Sequence, residues 1–187
     1  MSDTTHTTAA MRLPGDPSKD ELLAQIIRVD QAGEYGAKRI YEGQLAVLGR
    51  TDAAPALRSM LAKEEAHLAE FNRIMAVRGV RPTALGPVWH AAGFALGAAT
   101  ALLGKEAAMA CTVAVEEVIG AHYAEQAAEL SDDEKDLRET VAAYGRDELA
   151  HRDEALAHGA ERAPAYPVLT EAIKAGTRLA IWLSKRI

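Results

Sequence analysis

The chain has 187 residues, a net charge of −6 and a single cysteine. That length makes one domain with a sizeable core the expectation. The lone Cys111 excludes a disulfide framework and a cysteine-based zinc site, and it fits a reducing compartment. With no basic block in an acidic chain, nucleic acid is excluded as an expected partner.

Residues 1–17 are polar and punctuated by proline, with no basic start and no apolar run. They read as a disordered tail, His6 included, rather than a secretory signal. From 18 to 187 the pattern is that of one all-α domain. Ser18 and Glu21 form a capping box that opens a helix, which Gly49 is placed to stop. "TDAAP" starts a second helix, striped by Leu57, Met60, Leu61, Leu68, Phe71, Ile74 and Met75 and ended by Gly79 and Pro82. An alanine-rich helix follows over roughly 105–130. "SDDE" at 131–134 reads as a second capping box, opening a helix that runs to about Gly159. A last helix begins near Pro167 and carries Leu169, Ile173, Leu179, Ile181 and Leu183. No alternating strand pattern and no linker interrupts this order.

Charged residues then stand out against the apolar stripes. Glu64 and His67 are three apart on the second helix, in line with Met60 and Phe71. Glu148 and His151 repeat the pair on the fourth, in line with Val141, Tyr144 and Ala155. Chance supplies roughly half of one such match in a chain of this composition. Glu34 lies roughly 20 Å before the first turn, and Glu64 and His67 about 14–18 Å after it. Glu116 lies about 21 Å before the second turn, and Glu148 and His151 roughly 24–28 Å after it. Each hairpin therefore brings one glutamate level with one Glu-x-x-His pair. Glu116 also interrupts an almost wholly apolar helix, where an unpaired carboxylate costs several kcal/mol. Two Glu-x-x-His pairs plus two bridging glutamates, Glu34 and Glu116, make the ligand set of a di-iron or di-manganese carboxylate bundle. Oxygen-rich ligation with one imidazole per ion suits iron or manganese better than zinc or copper. Glu65 and Glu117 point about 100° away from their ligand neighbours and belong behind the ligands or on the surface. Asp147 is placed to accept a hydrogen from a ligand histidine on a neighbouring helix, His67. The bland alternative to all this is surface Glu–His pairs at helical spacing.

Residues 82–104 carry no charge and are long enough to span a bilayer. Their prolines and glycines leave three readings open: a transmembrane helix, a buried crossover helix, or an apolar segment that touches a membrane and admits a lipid-like substrate. On the last reading Trp89, Phe94 and Leu96 are contacts of an apolar channel or docking surface. Trp182, Arg178, Lys185 and Arg186 give the last helix an interfacial cast as well.

"RVDQAGEYGAKRIYEGQLAVLGR", "GFALGAATALLGKEAAMACTVAVEEVIGAHY" and "ERAPAYPVL" closely resemble the demethoxyubiquinone hydroxylases of ubiquinone biosynthesis. The resemblance covers essentially everything after residue 19. It implies a ferritin-like four-helix bundle made of two helical hairpins, with a long apolar crossover and an extra C-terminal helix. It implies two irons per chain, held by Glu34, Glu64, His67, Glu116, Glu148 and His151, and a substrate side marked by His122 and Tyr123. The implied reaction hydroxylates the ring of a polyprenylated quinone or quinol with O2, NADH supplying electrons. The implied location is peripheral, on the cytoplasmic face of a bacterial inner membrane, with a homo-oligomer or a substrate-delivery partner open. No glycine-rich dinucleotide fingerprint is present, so NADH binding of the Rossmann type is not expected. A ferritin-like iron store and a manganese catalase share the ligands and stay open. A rubrerythrin-like peroxidase would need a four-cysteine iron module that one cysteine cannot build.

Overall fold

A computed structural model describes residues 17–187; the expected tail, with His6, lies outside the described residues except for Pro17. Six helices run in chain order: α1 Lys19–Leu48, α2 Ala54–Arg78, α3 Gly86–Leu102, α4 Lys105–Glu129, α5 Lys135–Ala157 and α6 Tyr166–Ser184. No strand occurs among the described residues. α1 and α2 form one hairpin, α4 and α5 the other, while α3 lies along α1 and α6 along α4. This is the four-helix bundle with a crossover helix and a C-terminal helix that the periodicity and the resemblance predict.

Local chemistry explains most of the boundaries. The Ser18 hydroxyl accepts from the Glu21 N–H at 3.2 Å, and Glu21 Oε2 accepts from the Ser18 N–H at 2.7 Å, so the first capping box forms. Gly79 ends α2 at φ 65°, a left-handed position that glycine occupies without strain. Gly49 caps α1 in a right-handed conformation instead, at φ −61°. The second predicted capping box does not form. The Ser131 hydroxyl donates to Asp133 Oδ1 at 2.6 Å, and 132–134 make a short 3₁₀ turn before α5. Asp133 is itself claimed by Lys19 at the start of α1, which ties the second turn to the first hairpin.

α4 is the central helix. Ala107 to Val115 are buried without exception, and their small side chains let neighbouring helices approach closely. One part of the core joins Tyr41, Leu57, Met60, Met109 and Val113; another joins Ile27, Phe71, Tyr123, Leu137 and Val141. The charged layer described below lies among these residues. On α6, Ile173 is buried, but Leu179 from the predicted stripe is 56% exposed.

The charge-free segment is one 17-residue helix, α3, packed against α1. Among the described residues no helix is long and apolar enough to cross a membrane, so the transmembrane reading is set aside. The glycines make the contact possible: a Cβ at Gly97 would collide with the Ile40 carbonyl, and one at Gly43 with the Phe94 carbonyl. Trp89 turns inward and donates its indole N–H to Ser184 Oγ at 3.0 Å, joining α3 to α6. Phe94 departs from the expected set of channel contacts. It is half-buried, with the Arg39 guanidinium 4.9 Å from its ring centroid.

Candidate metal centre

Glu34 on α1, Glu64 and His67 on α2, Glu116 on α4, and Glu148 and His151 on α5 are each at most 4% exposed. All six meet in one layer. Donor atoms of Glu34, Glu64, His67 and Glu148 lie within 4.8 Å of one another, and so do those of Glu64, Glu116, Glu148 and His151. The two groups share Glu64 and Glu148. This differs from the expected placing of Glu34 and Glu116 as the bridging pair: the carboxylates common to both groups are those of the Glu-x-x-His pairs, and each upstream glutamate belongs to one group. Sequence spacing sets the height of a side chain on its helix but not which carboxylate lies on the midline.

The residues fit two cations. Glu34 Oε2, Glu116 Oε2, both carboxylate oxygens of Glu64 and of Glu148, His67 Nδ1 and both ring nitrogens of His151 are buried without a hydrogen-bond partner among the described residues. Such orphaned groups are costly, and native cores avoid them unless a ligand satisfies them. Both imidazoles turn Nδ1 inward. His67 Nδ1 is 3.5 Å from Glu34 and from Glu148, and His151 Nδ1 is 3.0 Å from Glu64. Four carboxylates balance two divalent ions, and oxygen-rich ligation with one imidazole per position suits iron or manganese.

The electrostatics agree. Burial, reinforced by neighbouring carboxylates, pushes the carboxyls of Glu64 and Glu116 well above the ordinary range, and burial also raises Glu34. Burial opposes ionisation of Glu148 too, but contacts from His151, His67 and Glu116 hold it down at about 2. Burial works against a charged His67, yet Glu148 and Glu34 raise it to about 10. The site attracts positive charge wherever it can obtain it.

A second layer holds these ligands. Tyr41 donates to Glu116 Oε1 at 2.6 Å, and Tyr123 donates to Glu34 Oε1. Gln44 donates to Thr112 Oγ1 at 3.3 Å and to the Ala108 carbonyl at 3.0 Å; Gln126 donates to Asp30 Oδ1 at 2.7 Å. Sequence reading missed Tyr41, Gln44, Gln126 and Asp30, although a signal was present: Glu-x₆-Tyr-x₂-Gln occurs at 34–44 and again at 116–126. Asp147 stands where the spacing put it, with Oδ2 3.3 Å from His67 Nε2, and its other oxygen takes Lys63 Nζ at 3.2 Å. The Tyr144 ring stacks on His67, centroids 3.8 Å apart. Glu65 and Glu117 point away from the site and pair with Lys38 and Lys174.

Two hollows flank the centre. An apolar cavity of about 300 Å³ lies between α1, α3, α4 and α6, with Gly36, Ile40, Trp89, Leu96, Val115 and Ile181 among its walls. A more polar crevice of about 520 Å³ lies between α4 and α6, walled by His122, Lys174, Trp182 and Lys185. His122 and Tyr123, the residues the resemblance put on the substrate side, do not line the apolar cavity. Tyr123 faces Glu34; His122 faces the crevice, and burial together with Lys185 lowers it to about 4.

The family model for "Ubiquinone biosynthesis protein COQ7" matches residues 21–184. The 3-demethoxyubiquinol 3-hydroxylase of Rhodospirillum rubrum is 60% identical over 181 residues, covering 96% of this chain and 85% of that protein. The human mitochondrial NADPH-dependent 3-demethoxyubiquinone 3-hydroxylase is 53% identical over 167 residues, covering 87% and 77%. The mitochondrial 5-demethoxyubiquinone hydroxylase of Saccharomyces cerevisiae is 43% identical over 182 residues, covering 88% and 78%. With nearly the whole bundle matched, and with six buried carboxylates and imidazoles arranged as two joined groups that could each hold a metal ion, the chain belongs to the COQ7 family of ubiquinone biosynthesis proteins.

Proposed function

We propose that this chain is a di-iron monooxygenase that hydroxylates the ring of a polyprenylated 3-demethoxyubiquinol. The observation that carries the reading is the pair of four-ligand positions sharing Glu64 and Glu148, in a chain 60% identical to a 3-demethoxyubiquinol 3-hydroxylase. Glu34, Glu64, His67 and Glu148 would hold one iron, and Glu64, Glu116, Glu148 and His151 the other. Bound there, the two irons would supply the redox chemistry that activates O2.

The chain's own residues do the rest. Tyr41 and Tyr123 each hold one oxygen of a terminal glutamate and leave the other free to ligate. Asp147 orients His67 through its outer nitrogen, which fixes Nδ1 as the ligating atom. Val113, Val141, Phe71 and Met60 keep bulk water away, so fixed dipoles act at low dielectric. The apolar cavity offers the quinol ring a dry place beside α1 and α4, the helices that carry Glu34 and Glu116.

The substrate lives in lipid, and we read α3 and α6 as the face that meets a membrane. Val88, Leu102 and Leu103 on that side, with Val168, Leu179 and Trp182, are exposed apolar side chains, and Arg178 and Arg186 stand beside them. The reading includes the cytoplasmic face of a bacterial inner membrane. For the electrons, the family resemblance implied NADH; mitochondrial relatives are named NADPH-dependent, so a reduced nicotinamide nucleotide is the class proposed.

The test is anaerobic iron loading, metal analysis, and then turnover of a demethoxyubiquinol with O2 and a nicotinamide reductant. Two irons per chain and one hydroxylation per reductant are expected. Rapid disproportionation of H2O2 by the manganese-loaded protein, with no ring hydroxylation by the iron form, would establish the catalase alternative instead.

A further inference from the structure

The metal centre is built from two copies of one pattern, and the copies differ at two chemically telling places. On α1 the order is Asp30, Glu34, Tyr41, Gln44; on α4, at identical spacing, it is Thr112, Glu116, Tyr123, Gln126. In both halves the tyrosine reaches the opposite glutamate, and the glutamine reaches the residue four before it. Gln44 meets the hydroxyl of Thr112, a neutral partner. Gln126 meets a carboxyl, Asp30, which is 3% exposed. Thr112 demonstrates that the fold needs no more than a hydroxyl at this register. The second difference is His122, which stands where the other half has Ile40.

The hydrogen bonds assign roles to these extra groups. One amide hydrogen of Gln126 goes to Asp30 Oδ1 at 2.7 Å; the other faces His122 Nε2 at 3.0 Å. His122 therefore accepts through Nε2 and carries its proton on Nδ1, a tautomer assigned from the network. Asp30 Oδ2 is buried without a partner. Asp30 sits one helical turn before Glu34, so the two side chains are neighbours on one face of α1.

We propose that Asp30 is the proton donor of this site, its carboxyl held in place by Gln126, which is braced in turn by neutral His122. Burial, against the weaker pulls of Gln126 and of Lys185, raises the Asp30 carboxyl well above its usual range. The need for such a donor rests on the hydroxylase reading. In that reaction a ring C–H becomes C–OH and the second oxygen atom leaves as water. The hydride of a nicotinamide nucleotide supplies both electrons and one hydrogen, so one further proton must be delivered per turnover. Asp30 gives it toward the Glu34–Tyr123 end of the centre and regains one from solvent. Gln126 and His122 are positioning residues.

Two variants test this in the iron-loaded protein. Asp30→Thr copies the other half, and Asp30→Asn keeps the shape. Both should retain two irons and melt within a few degrees of wild type. The infrared spectrum of the resting protein should lose the carbonyl band of one protonated carboxylic acid. Hydroxylation should fall at least tenfold, with reducing equivalents diverted to H2O2, a change in coupling that a purely structural residue would not cause. Asp30→Glu should recover part of the coupling. If Asp30→Thr does not fold, Asp30→Asn decides alone. Wild-type rate and coupling in Asp30→Asn, or a spectrum that loses no such band, overturns the proposal. Wild-type turnover of the quinol is the control: its absence overturns the hydroxylase reading and this proposal together, whereas its presence beside an unaffected Asp30→Asn overturns this proposal alone.

Discussion

Glu148→Gln should weaken both metal positions, whereas Glu116→Gln should weaken only one. Glu148 contributes to both four-ligand groups and Glu116 to one. An amide of the same size removes a negative charge from a buried site without opening a cavity. Removing one partner of a buried ion pair costs about 3–5 kcal/mol. At about 1.4 kcal/mol per tenfold, that is roughly two to three and a half decades in affinity. Glu116→Gln should therefore keep one ion at wild-type affinity and lose the other by that factor, and Glu34→Gln should do the same at the opposite position. Glu148→Gln and Glu64→Gln should lose both. Anaerobic ferrous titration, with bound metal counted after gel filtration, reads the difference directly. The apo form of Glu116→Gln should melt no lower than wild-type apoprotein, because a carboxyl that burial disfavours has gone. Identical binding curves for the Glu116 and Glu148 variants would refute the assignment of shared and unshared ligands.

Asp147→Asn should lower iron affinity or turnover about 10–100-fold, since it weakens the acceptor that orients His67; unchanged values would make Asp147 merely a partner of Lys63. Apoprotein stability should fall as pH rises from about 4.5 to 6.5, because Glu34, Glu64, Glu116 and Asp30 have raised native pKa values and so bind protons more tightly folded than unfolded. His122, lowered to about 4, opposes this with one proton, while Glu148 at about 2 and His67 at about 10 contribute constantly across that window. Melting temperatures of chelated and iron-loaded protein against pH check it, and the loaded form should show no such fall. Leu96→Arg should abolish turnover of a long-tailed quinol and leave iron uptake intact, because it charges the apolar cavity but touches no ligand; full activity would place the ring elsewhere.

The meeting of the six side chains was legible in the sequence because a bundle turns spacing into height. A carboxylate and a Glu-x-x-His pair at matching distances from a turn must meet if the hairpin closes, and both hairpins close. The apolar run around Glu116 was equally readable, since Ala107 to Glu116 are buried without exception and leave that stretch of α4 no solvated face. What spacing could not supply was lateral position within the layer. Glu64 and Glu148 belong to both groups and Glu34 and Glu116 to one each, a matter of helix rotation that sequence spacing does not report. The "SDDE" turn failed for a related reason. Ser131 had a competing acceptor in Asp133, and local motif chemistry was overridden by that contact and by Lys19, which is distant in sequence. Residues 82–104 were ambiguous because lack of charge does not distinguish lipid from protein; Gly43 and Gly97 let one face of α3 press onto α1, a contact that composition could not reveal.

The duplicated pattern gives the two metal positions the same ligand types, yet the surroundings make them unequal. Around Glu116 and His151 the second layer is Tyr41, Gln44 and Thr112, none of which ionises near neutral pH. Around Glu34 and His67 it is Tyr123, Gln126, Asp30, Asp147 and, one step out, His122. The two departures that touch the hydrogen-bond chain, Asp30 against Thr112 and His122 against Ile40, place a titratable group on the same side. A structural duplication alone would leave both sides alike, and buried ionisable groups are too costly to persist without use. The inequality therefore divides the work. The Glu116 end is a dry, neutral mount, and the Glu34 end is where protons enter and leave. Exchanging Asp30 for the threonine of the other half removes that distinction with one substitution, which is why the Asp30→Thr variant probes the design of the centre rather than its stability.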